Sequence, residues 1–214
     1  MTLKDRKLAH RIYLYLGALF ITSLVVSNLI FQKFFYWNPF GDFTVFGVSL
    51  FEISVGILPY PITFLITDLI SEIYGRKMAN QIVTAGIFAS FFSMGIILVA
   101  EVAPAIPSSP IDDTTFTQVF ALSPIAVLAS MIAYLLAQYV DVAIYHFWKK
   151  LTKGKYLWLR NNFSTFLSQF LDTFTVVALL CVFKVLPWNL FFGLVVSGFI
   201  FKIFIAFIDT PFLY

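Results

Sequence analysis

Six apolar runs, each about twenty residues or longer, take up most of a chain of 214 residues: 12–31, 48–70, 81–103, 123–147, 163–186 and 190–212. A helix rises about 1.5 Å per residue, so each run can cross a hydrocarbon core about 30 Å thick. Little chain is left over, which excludes a separate globular domain. Composition agrees: 12% of residues are charged and 60% are hydrophobic, where a soluble domain carries about 25% charged residues. The expectation is an all-α integral membrane protein, with residues 1–214 forming one polytopic unit.

The first run follows Lys4, Arg6, Lys7 and Arg11. It is too long for a signal-peptide core, and an A-x-A-like cleavage site does not follow it, so it reads as a span. The second run carries Pro59 and Pro61 around Tyr60. Each proline removes a backbone donor, so a kink or break is expected there. The stretch 42–54, with Thr, Val, Phe and Gly interleaved, also fits an extended hairpin outside the membrane.

A cytoplasmic N-terminus places eleven cations inside and leaves Lys33 and Lys184 outside. That bias orients the chain, and an even number of spans returns the C-terminus to the cytoplasm. The outer connector between the third and fourth spans is acidic and proline-rich, with Glu101, Asp112, Asp113, Pro104, Pro107 and Pro110. The cationic linker 148–160 suits anionic lipid headgroups. It is not joined to an aromatic stacking module, so direct nucleic-acid binding is not expected. One cysteine, Cys181, and two histidines leave no basis for a disulfide, a Cys-based metal cluster or a cofactor.

The remaining lysine, Lys202, lies inside the sixth run, and Asp68, Asp141 and Asp172 lie inside others. An ionised side chain at the bilayer centre costs about 2.5–3.5 kcal/mol on insertion scales unless it is paired or hydrated. Four such residues imply an internal polar site. Helical spacing groups their neighbours: Gln138 with Asp141, Asp68 with Glu72, and Thr165 with Ser168 or Gln169 and Asp172. Asp172 and Lys202 fall at similar depth near the midplane, either as binding groups or as a structural ion pair. Asp68 also fits an interfacial position beside Arg76 and Lys77. Ser23 and Ser27, one turn apart with Asn28 adjacent, suit helix packing. Gln138-x-x-Asp141 recurs as Gln169-x-x-Asp172, but the two spans enter the membrane in opposite directions, which does not fit a simple tandem duplication.

Taken in order, Pro61-Ile-Thr-Phe-Leu-Ile-Thr-Asp68-Leu-Ile-Ser-Glu72-Ile-Tyr-Gly75-Arg76-Lys77, Gln138-Tyr-Val-Asp141-Val, Ser164-Thr-Phe-Leu-Ser-Gln169-Phe-Leu-Asp172-Thr173 and Phe201-Lys202 resemble the queuosine precursor transporter family, also called the vitamin uptake transporter family. The resemblance covers nearly all of the chain after about residue 16. It implies an inner-membrane importer of 7-cyano-7-deazaguanine or its aminomethyl relative, with Asp68, Gln138, Asp141, Thr165, Gln169, Asp172 and Lys202 as candidate substrate-binding residues. The chemistry is compatible: a deazaguanine presents N–H and amino donors side by side, which one carboxylate accepts, while glutamines satisfy the remaining edge. Aromatic rings can clamp its faces; Tyr134, Tyr139, Phe166 and Phe170 are near enough in sequence to be candidates.

Two other classes compete. An ATPase-dependent vitamin importer uses a six-helix binding subunit of similar size, and without a Walker motif here the ATPase would be another chain. An intramembrane aspartyl protease would pair Asp141 with Asp172, but the chain lacks a Gly-x-Gly-Asp-type loop and Lys202 opposes proton sharing. The expectation is a transporter and not an enzyme, with a small deazapurine and membrane lipid as partners. Monomer and homo-oligomer are equally compatible with the sequence.

Overall fold

The computed structural model describes the chain apart from residues 1–2, 32, 37–40, 42–43, 46–47, 50–51, 121–123, 185 and 210–214. Among the described residues, six helices are long and apolar enough to cross a membrane. In chain order the helices are α1 (Leu3–Ile30), α2 (Tyr60–Ile73), α3 (Arg76–Val102), α4 (Asp113–Phe120), α5 (Pro124–Leu151), α6 (Leu157–Val182) and α7 (Phe191–Asp209). All but the short α4 belong to spans. Large apolar side chains such as Phe88, Phe92 and Val99 on α3 are exposed, as a lipid-facing surface requires.

The second span starts later than hydropathy suggests. The described residues of 48–54 are extended: β1 (Phe34–Tyr36) pairs antiparallel with β4 (Glu52–Ser54), and β2 (Thr44–Val45) with β3 (Val48–Ser49). A 3₁₀ turn, Val55–Ile57, follows. Pro59 is the N-cap of α2 and Pro61 stands in its first turn, where a missing N–H leaves no intrahelical bond unmade. The turn is held against α1 by hydrogen bonds from the Ser27 hydroxyl to the Gly56 carbonyl and from the Ser54 hydroxyl to the Phe31 carbonyl. Gly56 is required there. A Cβ would sit 2.6 Å from the Ser27 carbonyl oxygen and 2.9 Å from Phe31 Cα.

α2 is the inner element, touching α1, α3, α5 and α7. Its small buried hydroxyls, Thr63, Thr67 and Ser71, let the neighbouring helices approach closely. α2 turns into α3 at Gly75, whose φ of 85° is readily adopted only by glycine. On the same side of the bundle, Glu72 joins α2 to α5: it pairs with Lys149 at 2.9 Å and accepts from the Tyr145 hydroxyl at 2.8 Å. Glu72 therefore serves a helix clamp. α5 and α6 form a long antiparallel hairpin, and α7 packs on α6. In the connector before α4, Asp112 accepts from Thr115 N at 2.7 Å and Asp113 from Ala105 N at 2.8 Å. Capping by Thr115 holds the Asp112 carboxyl below the ordinary aspartate range.

Candidate functional site

Four helices bring polar side chains to the centre of the bundle. On α2, Tyr60, Phe64 and Asp68 follow one another at four-residue intervals; on α5, Tyr134, Gln138 and Asp141 do much the same. The stripe on α6 is Thr165, Ser168, Gln169 and Asp172, and α7 contributes Phe201 and Lys202. Asp68, Gln138, Asp141, Thr165, Gln169 and Asp172 are all buried.

The acids separate into two groups. Asp141, fully buried, accepts from the Ser168 hydroxyl at 2.8 Å and lies within hydrogen-bonding reach of Asp68 and Ser164. This group joins α2, α5 and α6. About one helical turn away, or ~6 Å along α6, Asp172 is ion-paired with Lys202 on α7. The Lys202 ammonium also stands over the Tyr60 ring, 4.9 Å from its centroid, a cation–π arrangement. Asp141 and Asp172 thus have different partners.

A narrow pocket with a cavity volume of about 20 Å³ opens beside the second group. Its walls include Tyr60, Phe64, Thr165, Gln169, Phe201 and Lys202. Tyr60, Phe64 and Tyr134 pack ring to ring with centroids 5.4–6.4 Å apart. Gln169 Oε1 and both polar atoms of Gln138 are buried without a hydrogen bond of normal geometry among the described residues. Leaving such a group unpaired costs about 1–3 kcal/mol, so these amides mark a place where hydrogen-bonding capacity is held unused.

Of the four aromatic candidates from sequence, Tyr134 is at the site. Tyr139 instead hydrogen-bonds Thr84 at 2.7 Å, Phe166 packs on Phe207, and Phe170 packs on Phe174 and Phe199. Sequence reasoning missed Tyr60 and Phe64 as site residues. Their four-residue spacing onto Asp68 was the available signal, and the two prolines drew attention away from it.

Six membrane-crossing helices around a buried pocket with an ion-paired carboxylate, an amide and aromatic walls have the form of a small-molecule carrier. The family described as "putative vitamin uptake transporter" matches residues 54–214, and the chain belongs to that family. It is a multi-pass membrane protein with a transport role. A "probable queuosine precursor transporter" of Bacillus subtilis (strain 168) is 29% identical over 172 residues, covering 78% of this chain and 73% of the relative. No solved structure matches the chain.

Proposed function

We propose that this protein imports a queuosine precursor, 7-cyano-7-deazaguanine or its aminomethyl relative, across the inner membrane. The observation that carries the reading is Asp172 ion-paired with Lys202, whose ammonium stands over the Tyr60 ring, at the edge of a pocket lined by Gln169 and aromatic rings. Two parallel donors of a deazaguanine match one carboxylate. Lys202 pairs with Asp172 and holds its carboxylate in place. Gln169 and Gln138 supply the amides for the other edge, and Thr165 a hydroxyl. Asp68 and Asp141, engaged with each other and with Ser168, form the polar floor below. The relative's name supports the substrate class.

Cells unable to make the precursor regain the modified tRNA nucleoside when this chain is expressed and precursor is supplied at low concentration. Mass spectrometry of tRNA reads the outcome. No recovery, in cells with verified membrane insertion and working downstream enzymes, overturns the assignment.

Both termini are assigned to the cytoplasm on the cation bias. A cysteine placed at Ser109 in a Cys181→Ser background then reacts with an impermeant thiol reagent on intact cells. Labelling confined to permeabilised cells reverses the orientation.

A further inference from the structure

The Ser168 hydroxyl lies between two acceptors, 2.8 Å from Asp141 Oδ1 and 3.0 Å from the Thr165 carbonyl oxygen. A hydroxyl has one proton to donate and lone pairs with which to accept. Two arrangements therefore fit the same heavy atoms. With Asp141 ionised, Ser168 donates to Oδ1. With Asp141 protonated, the acid O–H donates to Ser168 Oγ, and the serine proton turns to the Thr165 carbonyl. Rotation of one hydroxyl interconverts them, so a proton is gained or lost at Asp141 without repacking a helix.

The surrounding charges favour a proton there. Asp141 is fully buried, and no cation among the described residues is ion-paired with it: Lys202 is held by Asp172, and Lys149 by Glu72. α5 packs on α2, α3 and α6. α2 presents a second acid, Asp68, with Glu72 one turn further on. α6 presents Ser164 and Ser168, with Asp172 one turn beyond Ser168 and Arg160 two turns before it. α3 has its cations, Arg76 and Lys77, in its first turn. On α5 itself, Tyr134 lies two turns before Asp141 and His146 more than one turn after it. An ionised carboxylate in this setting is costly. The protonated arrangement removes that cost and makes hydrogen bonds of both Ser168 contacts.

We propose that Asp141 and Ser168 form a proton-binding site, and that one proton crosses with each precursor molecule, taken up at Asp141 from the outer side and released from it to the cytoplasm. The inference rests on the transport reading above and deepens it by naming the coupling ion. Proton site and pocket share α6: Thr165, whose carbonyl is the alternative acceptor for Ser168, also lines the pocket with Gln169. At about 20 Å³ the pocket has room for one water, within a turn of Ser168, which lessens the cost of an ionised Asp141. A precursor that takes its place restores that cost. The loaded carrier therefore crosses in the protonated arrangement, and the empty one returns in the ionised arrangement.

The test has two arms. In proteoliposomes clamped at zero membrane potential, with the interior one pH unit more alkaline, labelled 7-cyano-7-deazaguanine accumulates to about tenfold its outside concentration, the ratio that one proton per cycle supports. Without a pH gradient it only equilibrates, and a sodium gradient adds nothing. Asp141→Asn loses the accumulation. The second arm uses purified protein without precursor: infrared difference spectra across a pH titration show the carbonyl band of a protonated carboxyl. That band is absent in Asp141→Asn and displaced in Ser168→Ala, where the acid proton has lost its acceptor. If Asp141→Asn fails to fold, Ser168→Ala and the wild-type protein still decide. Accumulation driven by sodium alone, equilibration under every gradient, or a carboxyl band unchanged in both variants overturns the proposal. Failure of the substrate assignment looks different: the wild-type protein takes up no precursor under any gradient, while the Asp141 band still titrates.

Discussion

Asp172→Asn is expected to abolish measurable precursor binding, weakening it by more than about a hundredfold, while the protein still inserts and folds. The substitution keeps the side-chain volume but turns one of two acceptors into a donor that faces the ligand's own donors. It removes charge-assisted hydrogen bonds, each worth about 1.5–3 kcal/mol, and each 1.4 kcal/mol is tenfold in affinity. Lys202→Met weakens binding less, because the Asp172 carboxylate that accepts the ligand's donors is still present. Calorimetry in detergent, paired with thermal melts of both variants, separates binding from stability. Breaking a buried ion pair by removing one partner destabilises by about 3–5 kcal/mol when the pair holds helices together. Equal stability losses in the two variants, with affinity retained in the folded fraction, would mean that Asp172 and Lys202 serve only as a helix clamp.

The second large effect is on folding. Gly56→Val drives a branched side chain into the backbone of α1 at Ser27 and Phe31, where even one added carbon lies closer than van der Waals contact allows. Overpacking costs about 1–3 kcal/mol where side chains can yield. Backbone yields less, and displacement of the turn also breaks the hydrogen bond from Ser27, worth about 1 kcal/mol more. A loss of about 3 kcal/mol or more is expected, read as a lower midpoint of thermal unfolding and a smaller monodisperse fraction. Gly95→Val is the control, since a Cβ at Gly95 meets nothing within 4 Å. A Gly56→Val variant as stable as Gly95→Val would show that the turn does not pack on α1 in this way.

The six spans were legible because hydrophobic length alone separates a membrane helix from other elements. Hydropathy reports which residues avoid water, however, and not which conformation they take. At 48–55 an apolar stretch with Val48, Ile53 and Val55 reads as span, while its described residues form short strands and a 3₁₀ turn that lead into a proline-capped helix. The extended reading of 42–54 named the alternative that the described residues adopt. Depth along an axis was also readable, and it placed Asp172 beside Lys202. Position around the bundle was not. Spacing shows that Gln138 and Asp141 share a face of α5, but nothing local says that this face meets Asp68 rather than Asp172, because that depends on how three helices pack. For the same reason Glu72, one turn from Asp68, left the site for the clamp with Lys149.

The pairing of Ser168 with Asp141 has a bearing on how the protein is made. A solitary α5 in lipid would carry Asp141 at a cost of about 2.5–3.5 kcal/mol near mid-bilayer, with Gln138 adding to the burden. Its hydroxyl partner is on α6, which begins after the turn residues 152–156. The two helices are thus better partitioned from the insertion machinery as a preformed hairpin than one after the other.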